Sequence, residues 1–164
     1  MSLLQSGDAC PAFDLPTWNP ESGAAEQVSL ASLAGERFAL VFYPKDSTPG
    51  CTTQACALRD GMAPLAKRIK VFGVSPDGVA SHEKFAAKQS LNYPLISDEE
   101  KSLCEAFGVW VEKKMYGKTF MGVQRSTFLI GPDGRIEAVI EKAKPATHLQ
   151  DLEALITAAE GEGQ

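Results

Sequence analysis

Ala39-Leu40-Val41-Phe42-Tyr43-Pro44-Lys45-Asp46-Ser47-Thr48-Pro49-Gly50-Cys51-Thr52-Thr53-Gln54-Ala55-Cys56 is the stretch on which the reading of the whole chain turns. An apolar run from Phe38 to Tyr43 lies between Gly35-Glu36-Arg37 and Pro44. It is too short for a typical amphipathic helix and predicts a buried strand. Pro49-Gly50 marks a tight turn. From Thr52 to Ile69, helix formers carry apolar residues at Ala55, Leu58, Met62, Leu65 and Ile69, near helical spacing, which puts Cys51 in the first turn of a helix.

A helix's first turn has unpaired backbone N–H groups and the positive end of the dipole, both of which favour an anion over a neutral thiol. The thiolate is the nucleophilic form of cysteine, so this is where a reactive one would be placed. Cys56 follows five residues later on the same helix. At 1.5 Å rise and 3.6 residues per turn their Cα atoms stand roughly 8 to 9 Å apart, beyond the roughly 7 Å that a disulfide spans. A Cys51–Cys56 bond therefore requires the first turns of the helix to unwind.

The chain of 164 residues predicts one domain, with a core large enough to need no disulfide staples. A net charge of −5 offers no general attraction to a phosphate backbone, so nucleic acid is not an expected partner. No apolar run approaches the roughly 18 to 20 residues of a membrane span. The N-terminal segment Met1 to Asp8 has neither a basic start nor a sustained apolar core, so no signal peptide is expected and a cytoplasmic location follows as the default. The four cysteines are too few for a secreted disulfide scaffold, and none has C-x-x-C spacing.

Along the rest of the chain, Thr17 to Gln27 is polar and turn-rich, a surface loop or hairpin tip, and Val28-Ser29-Leu30 resumes a short strand. A strand is expected at Val71 to Ser75, a helix from about Val79 to Gln89, and a short strand near Leu95-Ile96. Asp98-Glu99-Glu100 looks like the capped start of a helix running to Phe107. Strands Arg125 to Ile130 and Ile136 to Ile140 flank Gly131-Pro132-Asp133-Gly134, a hairpin signal and not a phosphate loop, since no helix pattern follows it. Thr147 opens a last helix, and residues 161–164 form a frayed tail. Strand and helix alternate before the closing hairpin, which predicts an α/β fold with a mixed sheet.

Pro44, Thr48 and Cys51 match the peroxiredoxin pattern of Pro, three residues, Thr, two residues, Cys. The wider string from Tyr43 to Asp60, with a second Cys five positions after the first, resembles the Q-type peroxiredoxins, also called bacterioferritin comigratory proteins. The resemblance starts at Gly7-Asp8-Ala9-Cys10-Pro11-Ala12-Phe13-Asp14-Leu15-Pro16 and resumes at Phe72-Gly73-Val74-Ser75. It continues through Phe107-Gly108-Val109-Trp110, Lys113 to Lys118 and Arg125 to Ile130. It thus covers nearly all of residues 1–164, and implies a single thioredoxin-like domain with a mixed central β-sheet flanked by α-helices. Leu58 stands where an aromatic is common in the family, and the loop from Trp18 to Gln27 is somewhat long.

What the resemblance implies is a thiol peroxidase acting on hydrogen peroxide and small organic hydroperoxides, without metal or organic cofactor. Cys51 would be the peroxidatic residue, passing through a sulfenic acid. Arg125 would favour the thiolate and donate hydrogen bonds to peroxide oxygens. Thr48 would orient the peroxide, Pro44 would restrict the loop and shield the site, and the N–H groups of Gly50 and Cys51 could supply further donors. Cys56 would resolve the sulfenic acid as an intramolecular disulfide, recycled by thioredoxin. Members with this cysteine spacing are often monomeric, and a monomer is the expectation.

Each reading has a competitor. Alone, Cys51 would more often be a buried structural thiol, Cys56 a small apolar helix residue and Arg125 a surface ion-pair residue. Cys104, among Leu103, Ala106 and Phe107, reads as a core thiol and only a minor rival for resolution; Cys10 has no motif around it. His82 and His148 look isolated, which argues against a metal site. Lys113, Lys114 and Lys118 interleave with Trp110, Tyr116 and Phe120, read as a solvated loop flanked by core aromatics. A protein thiol–disulfide oxidoreductase would call for C-x-x-C. The alternative from another class is a redox-sensing or holdase module without significant peroxidase turnover, in which oxidation exposes apolar surface by unwinding the helix.

Overall fold

The computed structural model describes residues 3–162. Met1, Ser2, Gly163 and Gln164, the ends of the N-terminal segment and of the tail read above, lie outside the described residues. The strands are β1 (Asp14–Asn19), β2 (Ala24–Ser29), β3 (Phe38–Phe42), β4 (Lys70–Ser75), β5 (Leu95–Ser97), β6 (Trp110–Met115), β7 (Lys118–Val123), β8 (Ser126–Ile130) and β9 (Ile136–Ile140). The helices are α1 (Pro49–Leu65), α2 (Val79–Gln89), α3 (Ser102–Ala106) and α4 (His148–Glu162).

Seven strands form one mixed sheet in the order β2-β1-β5-β4-β3-β8-β9. β3, β4 and β5 run parallel, and β1 and β8 pair antiparallel on either side of them. Parallel neighbours need crossovers, which α1 and α2 supply on one face, while α3 and the loop after it cover the other. That is why Phe38-Ala39-Leu40-Val41-Phe42 is apolar without alternation: all five residues are buried.

Successive side chains of β3 point to opposite faces and enter different cores. Ala39 and Val41 pack with α1, α2 and α4 through Cys51, Leu58, Phe85, Leu152 and Ile156. Phe38, Leu40 and Phe42 pack with α3 and the loop after it through Leu103, Cys104 and Phe107. On that second face Phe42, Phe107 and Phe128 meet with ring centroids 4.7 to 5.6 Å apart. Such pairs add about 0.5 to 1.5 kcal/mol each beyond their buried area.

Several boundaries differ from the sequence reading. Pro49 and Gly50 open α1 instead of making a separate turn, because proline at the first helical position loses no hydrogen bond and presets φ. α1 ends at Leu65 instead of Ile69. Thr17 to Gln27 is a β1–β2 hairpin whose strands run through most of the segment. The helix expected from Asp98 is short: Asp98 stays outside it and its carboxylate accepts from the amides of Leu103 and Cys104. α4 continues through Gly161 and Glu162, which were expected to fray.

The stretch around Lys113 to Lys118 is no loop. β6 and β7 form a separate two-stranded antiparallel ribbon, and its aromatics are not all core residues: Tyr116 is 96 % exposed and Phe120 43 %. Of its aromatics, Trp110 at the base packs against the second core, which also takes in Val123 at the end of β7.

Candidate active site

Thr48 adopts extended geometry as the residue before α1, Pro49 is the first helical residue, and Cys51 is the third. The first helical hydrogen bond runs from Thr52 N–H to the Thr48 carbonyl at 2.8 Å. The amides of Gly50 and Cys51 precede that bond, and among the described residues neither has a backbone acceptor, as expected for a helix start. Two N–H groups at the start of α1 therefore stay free of backbone acceptors, and Cys51 beside them in the chain is only 2 % exposed.

Arg125 reaches the same point from 74 residues away. β3 and β8 pair antiparallel with Phe42 opposite Ser126, so Arg125, one residue before β8, flanks the end of β3 where the loop to Cys51 departs. Its carbonyl accepts the Ala143 amide at 2.7 Å, which fixes the backbone. Its Nη2 donates to Cys51 Sγ at 3.3 Å, and its Nη1 donates to Gln54 Oε1 at 2.5 Å. Gly50 allows this approach: a Cβ there would stand 3.2 Å from Nη2.

Thr48 Oγ1 donates to the Lys45 carbonyl at 2.9 Å. With its proton so used, the hydroxyl offers lone pairs, and any further partner must be a donor. Pro44 is half-buried at the end of β3. An open cleft of about 390 Å³ is lined by Val111, Lys113, Lys142 and neighbours, with Arg125 in its wall. Burial, and then the charge of Arg125, hold the Lys113 ammonium below the usual lysine range, with Cys51 acting in the opposite sense.

Cys56 is half-buried and faces α2, its Sγ 3.4 Å from Gln89 Oε1. Arg59, one turn on, donates to the Gln89 carbonyl at 2.6 Å. All four cysteines are free thiols, and Cys51 and Cys56 lie in one continuous helix. Cys104 and Cys10 belong to the second core, across the sheet from Cys51. Burial pushes the Cys10 thiol up to about 12 and the Cys104 thiol higher still. The structure brings Cys51, Arg125 and the Thr48 loop together and leaves Cys10 and Cys104 apart from them.

Two participants escaped the sequence reading. Gln54, three residues after Cys51 and so on the same helical face, orients Arg125, while its buried Nε2 has no partner among the described residues. The i, i+3 spacing was the available signal. His82, read as isolated, is paired with Asp46 of the active-site loop. Their separation of 36 positions left no local signal.

Residues 6–139 match the AhpC/TSA family. Peroxiredoxin Bcp of Escherichia coli K12 is 46 % identical over 149 residues, covering 90 % of this chain and 92 % of that one. Peroxiredoxin Bcp of Bacillus subtilis is 46 % identical with the same coverage. Among solved structures, peroxiredoxin Q of Xanthomonas campestris superposes with a TM-score of 0.81 at 39 % identity, over 95 % of this chain and 96 % of that one. No described helix is long and apolar enough to cross a membrane. With the family model spanning most of its length and such relatives at this identity, the chain belongs to the AhpC/TSA family and, within it, to the Q-type (Bcp) peroxiredoxins, thiol-dependent peroxidases of thioredoxin-like fold.

Proposed function

We propose that this chain reduces hydrogen peroxide and small organic hydroperoxides at Cys51, resolves the product with Cys56, and is recycled by thioredoxin. The observation that carries the reading is the Arg125 guanidinium donating to Cys51 Sγ at the start of α1. A cation and free amides around a sulfur favour its anionic, nucleophilic form. The Xanthomonas campestris bacterioferritin comigratory protein, a relative with a TM-score of 0.82 at 38 % identity, is described as having alkyl peroxide reduction activity, which supports the organic part of the substrate range.

In the first step the Cys51 thiolate attacks one peroxide oxygen. An S–O bond forms, the O–O bond breaks, and the leaving oxygen departs as water or alcohol after taking a proton. Arg125 and the amides of Gly50 and Cys51 stabilise charge moving onto that oxygen. Thr48, whose own proton is held by Lys45, accepts the hydrogen bond of the peroxide O–H and so orients it. Pro44 takes no part in the chemistry and keeps water from the loop.

In the second step Cys56 sulfur attacks the sulfenic sulfur, an S–S bond forms and water leaves. Arg59 and Gln89 hold Cys56 against α2, so the moving part is the turn that bears Cys51. A dithiol then reduces the disulfide by exchange. The cycle balances with a peroxide and a dithiol alone and calls for no metal or organic cofactor. We take the acting form to be a cytoplasmic monomer.

One equivalent of hydrogen peroxide, followed by alkylation and peptide mass spectrometry, should yield a Cys51–Cys56 disulfide. A bridge from Cys51 to Cys104 would overturn the resolving step, and an unmodified Cys51 would overturn the whole assignment. Omitting thioredoxin from a turnover assay should leave a single stoichiometric reduction.

A further inference from the structure

His82 is fully buried in α2, and both of its ring nitrogens face acceptors. Nε2 lies 2.9 Å from the carbonyl oxygen of Ile96, which can only accept, so Nε2 carries a proton. Nδ1 lies 2.7 Å from Asp46 Oδ2. Two lone pairs cannot face each other at that distance, so a second proton sits between them.

The rest of the network fixes where Asp46 stands. Its Oδ1 accepts from the Tyr43 hydroxyl at 2.6 Å and its Oδ2 from Ser81 Oγ at 2.8 Å. Its amide donates to Asp77 Oδ2 at 2.7 Å, and Asp77 in turn accepts from Ser75 Oγ. Every member belongs to β3, β4, α2, β5 or the loops that leave them. Burial, and then the charge of Asp46, hold the Tyr43 phenol un-ionised as a donor.

Asp46 lies two residues before Thr48, in the loop between β3 and α1. Its neighbour Ser47 has φ of 63°, a left-handed conformation that is unfavourable for a residue with a side chain. A strained segment stays in place only where its surroundings hold it. The anchor that α2 and β5 supply to this loop is the Asp46–His82 contact and the Ser81 bond beside it.

We propose that His82 is a positioning residue for the peroxide step: through Asp46 it holds the strained loop so that Thr48 and the first turn of α1 face the substrate. The proposal rests on Cys51 being the nucleophile. His82 itself touches no substrate; its contribution is the placement of the groups that do.

The test compares two reactions of Cys51, oxidation by hydrogen peroxide and alkylation by iodoacetamide. Alkylation reports sulfur ionisation and access, whereas oxidation also needs the oriented peroxide. In His82→Gln the oxidation rate should fall at least tenfold while alkylation changes less than threefold. Asp46→Asn can donate to a neutral His82 and still accept from Tyr43, though no longer from Ser81, so its oxidation rate should fall less than that of His82→Gln, and a larger fall would overturn the proposal. Equal loss of both rates in His82→Gln, or no loss, would overturn the proposal. Should His82→Gln not fold, nitrogen-15 NMR of the unaltered reduced protein decides: the Nε2 proton and the proton shared between Nδ1 and Asp46 should both be present and slow to exchange. Absence of a slowly exchanging proton between Nδ1 and Asp46 would overturn the proposal. An unaltered protein whose Cys51 is inert to peroxide would instead remove the nucleophile assignment and leave the NMR result standing.

Discussion

Arg125 serves two acceptors at once, which explains why an arginine stands there. Its planar fork presents Nη2 to Cys51 Sγ and Nη1 to Gln54 Oε1, while a lysine ammonium is a point charge without that geometry. Replacing it with alanine removes a hydrogen bond to a charged group, worth about 1.5 to 3 kcal/mol. Arg125→Ala should therefore slow oxidation of Cys51 by about ten- to a hundredfold, measured by competition with a second peroxidase of known rate, and Arg125→Lys should recover only part. An unchanged rate would return Arg125 to the role of a surface cation. The orphaned Nε2 of Gln54 fits the same picture, since a buried donor without a protein partner is unfavourable unless something else uses it. Gln54→Met, similar in shape but without polar atoms, should leave the melting temperature level or higher and slow peroxide oxidation by loosening Arg125. A lower melting temperature with full activity would show that Gln54 serves the fold alone.

At the scale of elements, α1 must be stable enough to place Cys51 and loose enough to release it. Thr52 and Thr53 follow Cys51 directly, and threonine is up to about 0.7 kcal/mol less favourable than alanine in a helix. Thr53 Oγ1 also donates back to the Pro49 carbonyl at 3.0 Å, a bond that slightly weakens a helix. Thr52→Ala with Thr53→Ala should stiffen this turn by about 1 kcal/mol, lowering the unwound population about fivefold. The Cys51 sulfenic acid should then persist longer, read as slower disulfide formation and more sulfinic acid at high peroxide; an unaltered disulfide rate would show that unwinding does not limit resolution. The apolar periodicity of α1, the unbroken run of β3 and the Gly131 to Gly134 turn were all legible in the sequence because each is decided by neighbours along the chain. The ribbon of β6 and β7 was not. It leaves Met115, Tyr116, Phe120 and Met121 exposed, so its residues carry no burial pattern to separate strand from loop. Nor was the shortness of α3, because Asp98 caps from outside the helix through its side chain. Arg125 was recognised by resemblance alone; its approach to Cys51 is a consequence of β3–β8 register, which no local pattern encodes.

Across the whole molecule, one sheet separates two cores, and the chemistry is confined to one of them. Cys51 packs with α1, α2 and α4, while Cys10 and Cys104 lie across the sheet with α3 and the phenylalanine cluster. That division keeps the two buried thiols apart from an oxidised Cys51 and leaves Cys56 as the thiol on its own side. It also gives α4 a structural task beside the site, and its first residue, His148, makes global stability depend on pH. His148 is fully buried, with Nε2 2.7 Å from Thr127 Oγ1 and Nδ1 without a partner among the described residues. Burial, opposed by Asp151 and aided by Arg125, pushes its pKa from 6.5 down to about 4. Above pH 6.5 the ring is neutral in folded and unfolded chains alike. Between pH 6.5 and 4 the unfolded chain binds a proton that the folded one refuses, so stability falls as pH drops; below about 4 both are charged and the loss levels off. The full loss is on the order of 3 kcal/mol. Denaturant unfolding at pH 7.5 and pH 4.5 should show most of it. His148→Leu should start less stable at pH 7.5, because Thr127 loses its partner, yet lose that much less on acidification. Parallel pH curves for the two proteins would mean that His148 becomes charged in the folded protein as readily as in the unfolded chain, and that the α4–β8 junction opens to water before the fold does.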